Sequence, residues 1–312
     1  MSFSASKDVQ EIIKSWLTHL SKIKSYSKNT VDAYLSDLYY FLNFLALHTE
    51  QTVTVDMLAT LPLRSFRSWL AARAMAEKKT TSNARALSVL RNFYRYLQVN
   101  YNIENNAPFL VKMKNRSKSL PKALGIEATF SSLVNVKTMH KQEWLGARDY
   151  AILMLLYGCG LRISEALSLT LEDVQTVHSG FLVIKGKGSK ERSVPVLAEV
   201  LEAVEQYIKQ CPYNITSPGE QIFRSKSGKV LTRQLFLHSV VKLRGYAGLP
   251  DFTSCHSFRH SFATHLLAKS GDIRSIQELL GHQSASTTQR YTKVENSKLL
   301  SVYKNAHPKA SG

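Results

Sequence analysis

The chain is poor in cysteine. Cys159, Cys211 and Cys255 are its only three, each isolated, with no Cys-x-x-Cys pair among 312 residues. That pattern excludes a disulfide framework and a structural zinc site, and it fits a reducing compartment. Long hydrophobic runs are missing too: the apolar run Ala151 to Leu161 is too short to cross a bilayer and contains two glycines. The opening Met1-Ser2-Phe3-Ser4-Ala5 has no basic segment leading into an apolar one, so no secretory leader is expected. These absences lead to the expectation of a cytoplasmic protein with no membrane partner. Acidic side chains are scarce, and Glu165, Glu172 and Asp173 read as scattered carboxylates. Two-metal cleavage chemistry needs carboxylates clustered around ions, so no metal and no cofactor are expected. Internal repeats and low-complexity segments are also lacking.

Positive charge is plentiful. Lys and Arg number 41 against 23 Asp and Glu, a formal net charge of +18. Up to Leu120 there are 17 basic and 8 acidic residues, and beyond it 24 and 15, so each part carries +9. Charge spread in this way suits a protein that grips a long polyanion with two domains, and double-stranded DNA is the expected partner. Binding to DNA should then weaken steeply with ionic strength, because neutralised phosphates release counterions.

Apolar periodicity predicts a mainly α chain with one small β-hairpin. Residues 1–101 read as a helical bundle. Val9, Ile12, Ile13, Trp16, Leu17 and Leu20 mark a first helix, and Ser27-Lys28-Asn29-Thr30 precedes a second. Leu63 to Met75 forms a third, and Ser82 to Val99 a fourth whose Arg85, Arg91 and Arg95 lie off the buried stripe as candidate phosphate contacts. Residues 102–120, punctuated by Asn102, Asn105, Asn106 and Pro108 and free of acid between Glu104 and Glu127, read as a basic linker. Residues 121–312 form the second domain. There Phe181–Ile184 and Arg192–Val196 read as paired strands around the turn Gly186-Lys187-Gly188-Ser189-Lys190, and Ala198–Lys209 and Thr232–Tyr246 as helices.

The chemistry concentrates between Ser254 and Tyr291. His256 and Arg259 are three apart and share a helical face, while Phe258, Phe262, Leu266 and Leu267 supply a face to bury. Gly281 stops the helix ahead of His282, and hydroxyl residues lead to Tyr291. Upstream, Arg162 follows Gly158-Cys159-Gly160 at a helix start, where backbone N–H groups also favour an anion, and Lys187 sits between two glycines. Each of the six, taken singly, has an ordinary structural explanation. Together, two arginines, a lysine and two histidines can do a metal ion's work at a phosphodiester. Arginine forks bind phosphate oxygens and stabilise the extra charge of five-coordinate phosphorus. Neighbouring cations lower the phenol pKa of tyrosine, ordinarily about 10, and a histidine takes or orients its proton. A flexible lysine can protonate the departing oxygen. The product would be a covalent phosphotyrosine, formed without metal or ATP.

In that order, Arg162, Lys187, His256-x-x-Arg259, His282 and Tyr291 resemble the signature of the tyrosine recombinase, or phage integrase, family, with all six positions filled. The stretches Gly160-Leu161-Arg162-Ile163-Ser164-Glu165, Gly186 to Arg192 and Leu280-Gly281-His282 carry the likeness, which spans nearly the whole chain. Ile276 to His282 and the ending Ser301-Val302-Tyr303 with Ala306-His307-Pro308 are similar to the Xer branch, and to XerC more than XerD. The resemblance implies a helical core-binding domain followed by a mixed α/β catalytic domain. It implies Tyr291 as nucleophile, Arg162 and Arg259 as phosphate clamps, Lys187 as general acid, and His256 and His282 in proton handling. It further implies a tetramer on a two-armed, dif-type site, a XerD-like partner, control by an FtsK-type translocase, and a tail, Leu299 to His307, docked on a neighbouring subunit. Three other readings stay open on the residues alone: a type IB topoisomerase, a mobile-element integrase, and a catalytically silent DNA-binding accessory protein.

Overall fold

The computed structural model describes residues 4–113, 123–177, 180–185, 191–270 and 272. The chain divides into two units, Met1–Lys118 and Ser119–Gly312.

In the first unit, Ser6 caps α1 (Lys7–Thr18) by accepting the Val9 N–H, and Val9, Ile12, Ile13 and Trp16 bury one stripe. A π-helical turn, His19–Ile23, extends it and buries Leu20. Ser27 caps α2 (Lys28–Thr49), accepting from the Thr30 N–H. Short α3 (Val55–Thr60), then α4 (Leu63–Met75) and α5 (Thr80–Tyr101) complete the bundle. Trp16 meets Phe93 edge-on at 5.2 Å, and Phe41 contacts Phe66 and Trp69 at 5.4 and 5.1 Å. Each such fully buried ring adds about 1.5–3 kcal/mol by leaving water.

The arginines of α5 each have a partner within the bundle, and Arg85 and Arg95 stay exposed. Arg91 donates to the Pro108 and Val111 carbonyls at 3.1 and 2.7 Å, and Arg95 stacks over Phe109 at 5.4 Å. Both hold down α6 (Ala107–Leu110) and the chain after it. Arg85 donates Nε and Nη2 to buried Asp37 at 2.9 and 3.3 Å, which ties α5 to α2. The stretch read as a linker therefore begins as part of the bundle: Val111 is buried in its core, and the Asn105 amide donates to the Leu58 and Leu61 carbonyls. The reason is physical. Backbone carbonyls in a proline-punctuated segment need donors, and arginine is long enough to supply them.

The second unit is built around α8 (Glu143–Gly158), which is buried almost throughout its second half. It packs against α7 (Ile126–Thr138), which precedes it, and against α11 (Ala198–Gln210) and α13 (Cys255–Ser270), which follow. Cys159 caps α8, and Gly158 is its last residue. A Cβ there would stand 2.6 Å from Val200 Cγ2, so glycine sets the close approach of α11. Short α9 (Ile163–Leu167) and α10 (Leu171–Gln175) lead to β1 (Phe181–Lys185) and β2 (Glu191–Pro195), an antiparallel pair in which Ile184 faces Arg192. Leu182, Ile184 and Val194 are buried while Val183 is exposed, the alternation of a half-covered hairpin. Thr232 caps α12 (Arg233–Tyr246).

Candidate active site

The site grows from the turn that ends α8. Gly160 takes φ +62°, open to glycine at no steric cost, and the Leu161 N–H returns to the Leu155 carbonyl at 3.2 Å. The next residue, Arg162, is the N-cap of α9 with extended backbone. Its N–H donates to Glu165 Oε2 at 2.7 Å, and its Nη1 to Glu165 Oε1 at 2.9 Å. The α9 start is thus closed by its own glutamate. The backbone amide expected to help bind an anion is already occupied, and what Arg162 offers is its side chain, 47% exposed.

Arg259 approaches from α13. It is 5% exposed and donates Nη1 to the Gly160 carbonyl. Its Nη1 stands 3.9 Å from Glu165 Oε2. From β2, Arg192 closes the group with Nη1 and Nη2 on the two oxygens of Glu165 at 2.8 and 2.9 Å. One carboxylate is therefore ringed by three guanidinium groups from α9, β2 and α13. Burial on its own would raise the Glu165 pKa; the bonds from Arg192 and from the Arg162 N–H, with the Arg192 charge and the Arg162 side chain, outweigh it and bring it to about 2. Burial first, then repulsion by Arg162, lower Arg259 to about 10, with Glu165 opposing. At neutral pH the carboxylate and the guanidiniums are all charged, and the cluster keeps a surplus of positive charge.

His256 opens α13 one turn before Arg259. Its side chain reaches solvent, yet its pKa lies below the usual imidazole value, through partial burial first and then the charges of Arg259, His260 and Arg162. A neutral imidazole results, able to accept a proton. Cys255 beside it is no competitor: burial pushes its thiol up to about 11. The α13 frame is anchored below the site. Ser261 Oγ accepts the Leu124 N–H at 2.8 Å, and His265 bridges the Leu124 carbonyl at 2.9 Å and the Tyr157 hydroxyl at 3.0 Å. Phe258, Phe262 and Leu266 are buried as their spacing suggests, but Leu267 is 38% exposed, because it turns past the edge of that face.

The structure thus brings together Arg162, His256 and Arg259. Lys187, His282 and Tyr291, with the hairpin turn 186–190 and the tail Leu299 to His307, lie outside the described residues. Two members of the cluster escaped the reading of the sequence. Glu165 is not scattered, as Glu172 and Asp173 are; it sits at the centre. The available signal was its spacing three residues after a helix-opening Arg162, the geometry of a capping glutamate. Arg192 had no local signal, since its partner is far away in sequence.

Glu165 makes a pH-dependent contribution to stability. Its folded pKa of about 2 lies below the ordinary value near 4.3, so the stabilisation is complete above that value and is lost as pH falls toward 2. The difference corresponds to about 3 kcal/mol. Urea unfolding of Glu165→Gln at neutral pH should show a loss of about that size, with the gap to the wild type narrowing below about pH 4.

Comparison with known proteins agrees with this geometry. Residues 131–298 match the Phage integrase family, and residues 13–99 match the Phage integrase, N-terminal SAM-like domain. Tyrosine recombinase XerC of Rickettsia bellii (strain RML369-C) is 43% identical over 300 residues, covering 96% of this chain and 97% of that protein. The XerC of Rickettsia typhi is 42% identical over the same shares of the two chains. Among solved structures, XerH site-specific recombinase bound to difH substrate superposes with a TM-score of 0.65 at 22% identity, covering 93% of this chain and 84% of that one. A lambda integrase (75–356) dimer bound to a COC' core site gives 0.64 at 18% identity, over 90% and 98%. These two structures speak for the fold. With both family regions in order and XerC relatives alike over nearly the full length, the chain belongs to the phage integrase family: it is a tyrosine recombinase, similar to XerC, that binds DNA, cuts it and rejoins it.

Proposed function

We propose that this recombinase works at a dif-type site as the XerC-like half of a heterotetramer with a XerD-like partner, resolving chromosome dimers in the cytoplasm under an FtsK-type translocase. The Tyr291 phenol oxygen attacks the scissile phosphorus, and the bond to the 5′ oxygen breaks. The phenol proton passes to His256 or His282, and Lys187 protonates the departing oxygen. A 3′-phosphotyrosine and a free 5′-hydroxyl result. Attack by the partner strand's hydroxyl reverses the chemistry and leads through a Holliday junction. Arg162 and Arg259 hold the phosphate oxygens while charge builds on phosphorus. The observation that carries this reading is the Arg162–Glu165–Arg259 cluster with a neutral His256 at its rim. It offers positive charge and a proton acceptor side by side, as metal-free phosphoryl transfer requires.

The test is a nicked suicide DNA carrying a dif-like site, incubated with the protein in EDTA without ATP. A denaturing gel should show a protein–DNA adduct, and peptide mapping should place it on Tyr291. Mobility shift should show affinity falling steeply, by roughly 10³-fold or more between 50 and 200 mM salt. An adduct that requires a divalent ion, or a flat salt response, would count against the reading. Adduct formation that improves on adding a XerD-like protein supports the heterotetramer.

A further inference from the structure

Arg192 is not one of the six signature residues, yet it makes the most complete contact in the cluster. Its Nη1 and Nη2 meet Oε1 and Oε2 of Glu165 at 2.8 and 2.9 Å, and its side chain is 14% exposed. Two parallel charge-assisted bonds fix the plane of a carboxylate as well as its place. Glu165 stands between the two arginines assigned to the phosphate, 2.9 Å from Arg162 Nη1 and 3.9 Å from Arg259 Nη1. A carboxylate able to swing toward either would compete with a phosphate for their charge. Three guanidiniums around one carboxylate leave a surplus of two positive charges; without Arg192 the surplus halves. The cluster also carries an independent sign of function. A buried carboxylate at an anion site is costly unless something holds and neutralises it, and β2 supplies the residue that does.

We propose that Arg192 is a positioning residue for strand cutting. It holds Glu165 in one orientation, so that the carboxylate aligns Arg162 at the start of α9 without neutralising the pair of arginines that receives the phosphate. The proposal rests on the recombinase reading above.

The test compares wild type, Arg192→Met and Arg192→Lys in single-turnover adduct formation on two nicked DNAs. One carries the ordinary scissile phosphate, and the other has sulfur in place of its bridging 5′ oxygen. A thiolate leaves without a proton, so the second substrate needs no general acid. Arg192→Met is expected to slow adduct formation about 10- to 100-fold on both substrates, the loss typical of a misplaced reacting group. DNA binding by mobility shift stays near wild type. Arg192→Lys keeps a cation but loses the fork, and should recover part of the rate. In a Glu165→Gln background, Arg192→Met should add little further slowing, because the residue acts through that carboxylate. Wild-type rates in both variants would overturn the proposal. Recovery on the sulfur substrate alone would also overturn it, since Arg192 would then serve proton donation. If Arg192→Met fails to fold, Arg192→Lys decides by the same two substrates, assayed well below its own melting temperature. A wild-type protein that forms no adduct on either DNA fails the recombinase reading itself, a result distinct from an active wild type with unaffected variants.

Discussion

Tyr291→Phe is expected to form no covalent adduct with nicked DNA under conditions where the wild type is converted, while binding the same DNA with unchanged affinity. The reasoning is chemical. The variant lacks one oxygen, the atom that would bond to phosphorus, and carries the same charge, so the electrostatic grip on the duplex is untouched. Four of the described phenols of the second unit make poor substitutes. Burial raises the pKa of Tyr157 and Tyr207, whose hydroxyls bond to His265 and to the Ile222 carbonyl. Burial and then Glu199 raise Tyr150, and the Tyr213 hydroxyl donates to the Lys226 carbonyl. A mobility-shift gel and a denaturing gel run in parallel separate the two properties. An adduct surviving in Tyr291→Phe would move the nucleophile elsewhere, and loss of binding would make Tyr291 a structural residue.

The second large effect is expected at Arg259. Arg259→Ala should slow adduct formation by about 10² to 10³, the range found when one preorganised donor to a developing charge is removed. Several facts set this size. The guanidinium is 5% exposed, so its charge acts through a poorly screened medium. It is fixed to the Gly160 carbonyl, so it needs no reorganisation when the phosphorus gains charge. Its pKa of about 10 keeps it charged in any neutral assay. Binding should change far less than rate, since Arg259 is one of 41 basic side chains. Arg259→Lys should not restore activity: an ammonium keeps the charge but cannot reach the carbonyl and a phosphate oxygen with separate, coplanar N–H groups. Equal losses in binding and cleavage would instead make Arg259 a ground-state anchor.

Much of the fold was legible from local pattern. Leu63–Met75 appears as read, and the hairpin and the helices after it differ from their expected bounds by a residue or two. Such elements announce themselves because apolar spacing, caps and turn residues act within a few positions. The breaks that interrupt the first unit, at residues 50–54 and 61–62, were less plain, for short α3 has too few residues to show a period. The intramolecular partners of the α5 arginines were not legible, for a different reason. Lying off the apolar stripe says only that a side chain avoids the core, and a long arginine can still fold over to meet Asp37 or a carbonyl.

By itself, then, the sequence determined the helical class, the placing of the hairpin, the polyanion-binding charge and the six signature residues with their order. Those are properties of residue type and of near neighbours. Tertiary structure alone decided how the charges are paired. Glu165 meets Arg192 across 27 positions, and Arg259 reaches the Gly160 carbonyl across 99. No periodicity encodes such distances, because they depend on how α9, β2 and α13 come together in the folded unit. Burial then raises the stakes of each contact: an unpaired charge there would cost several kcal/mol, so the packing that brings a third guanidinium to Glu165 also determines how much positive charge is left for a phosphate.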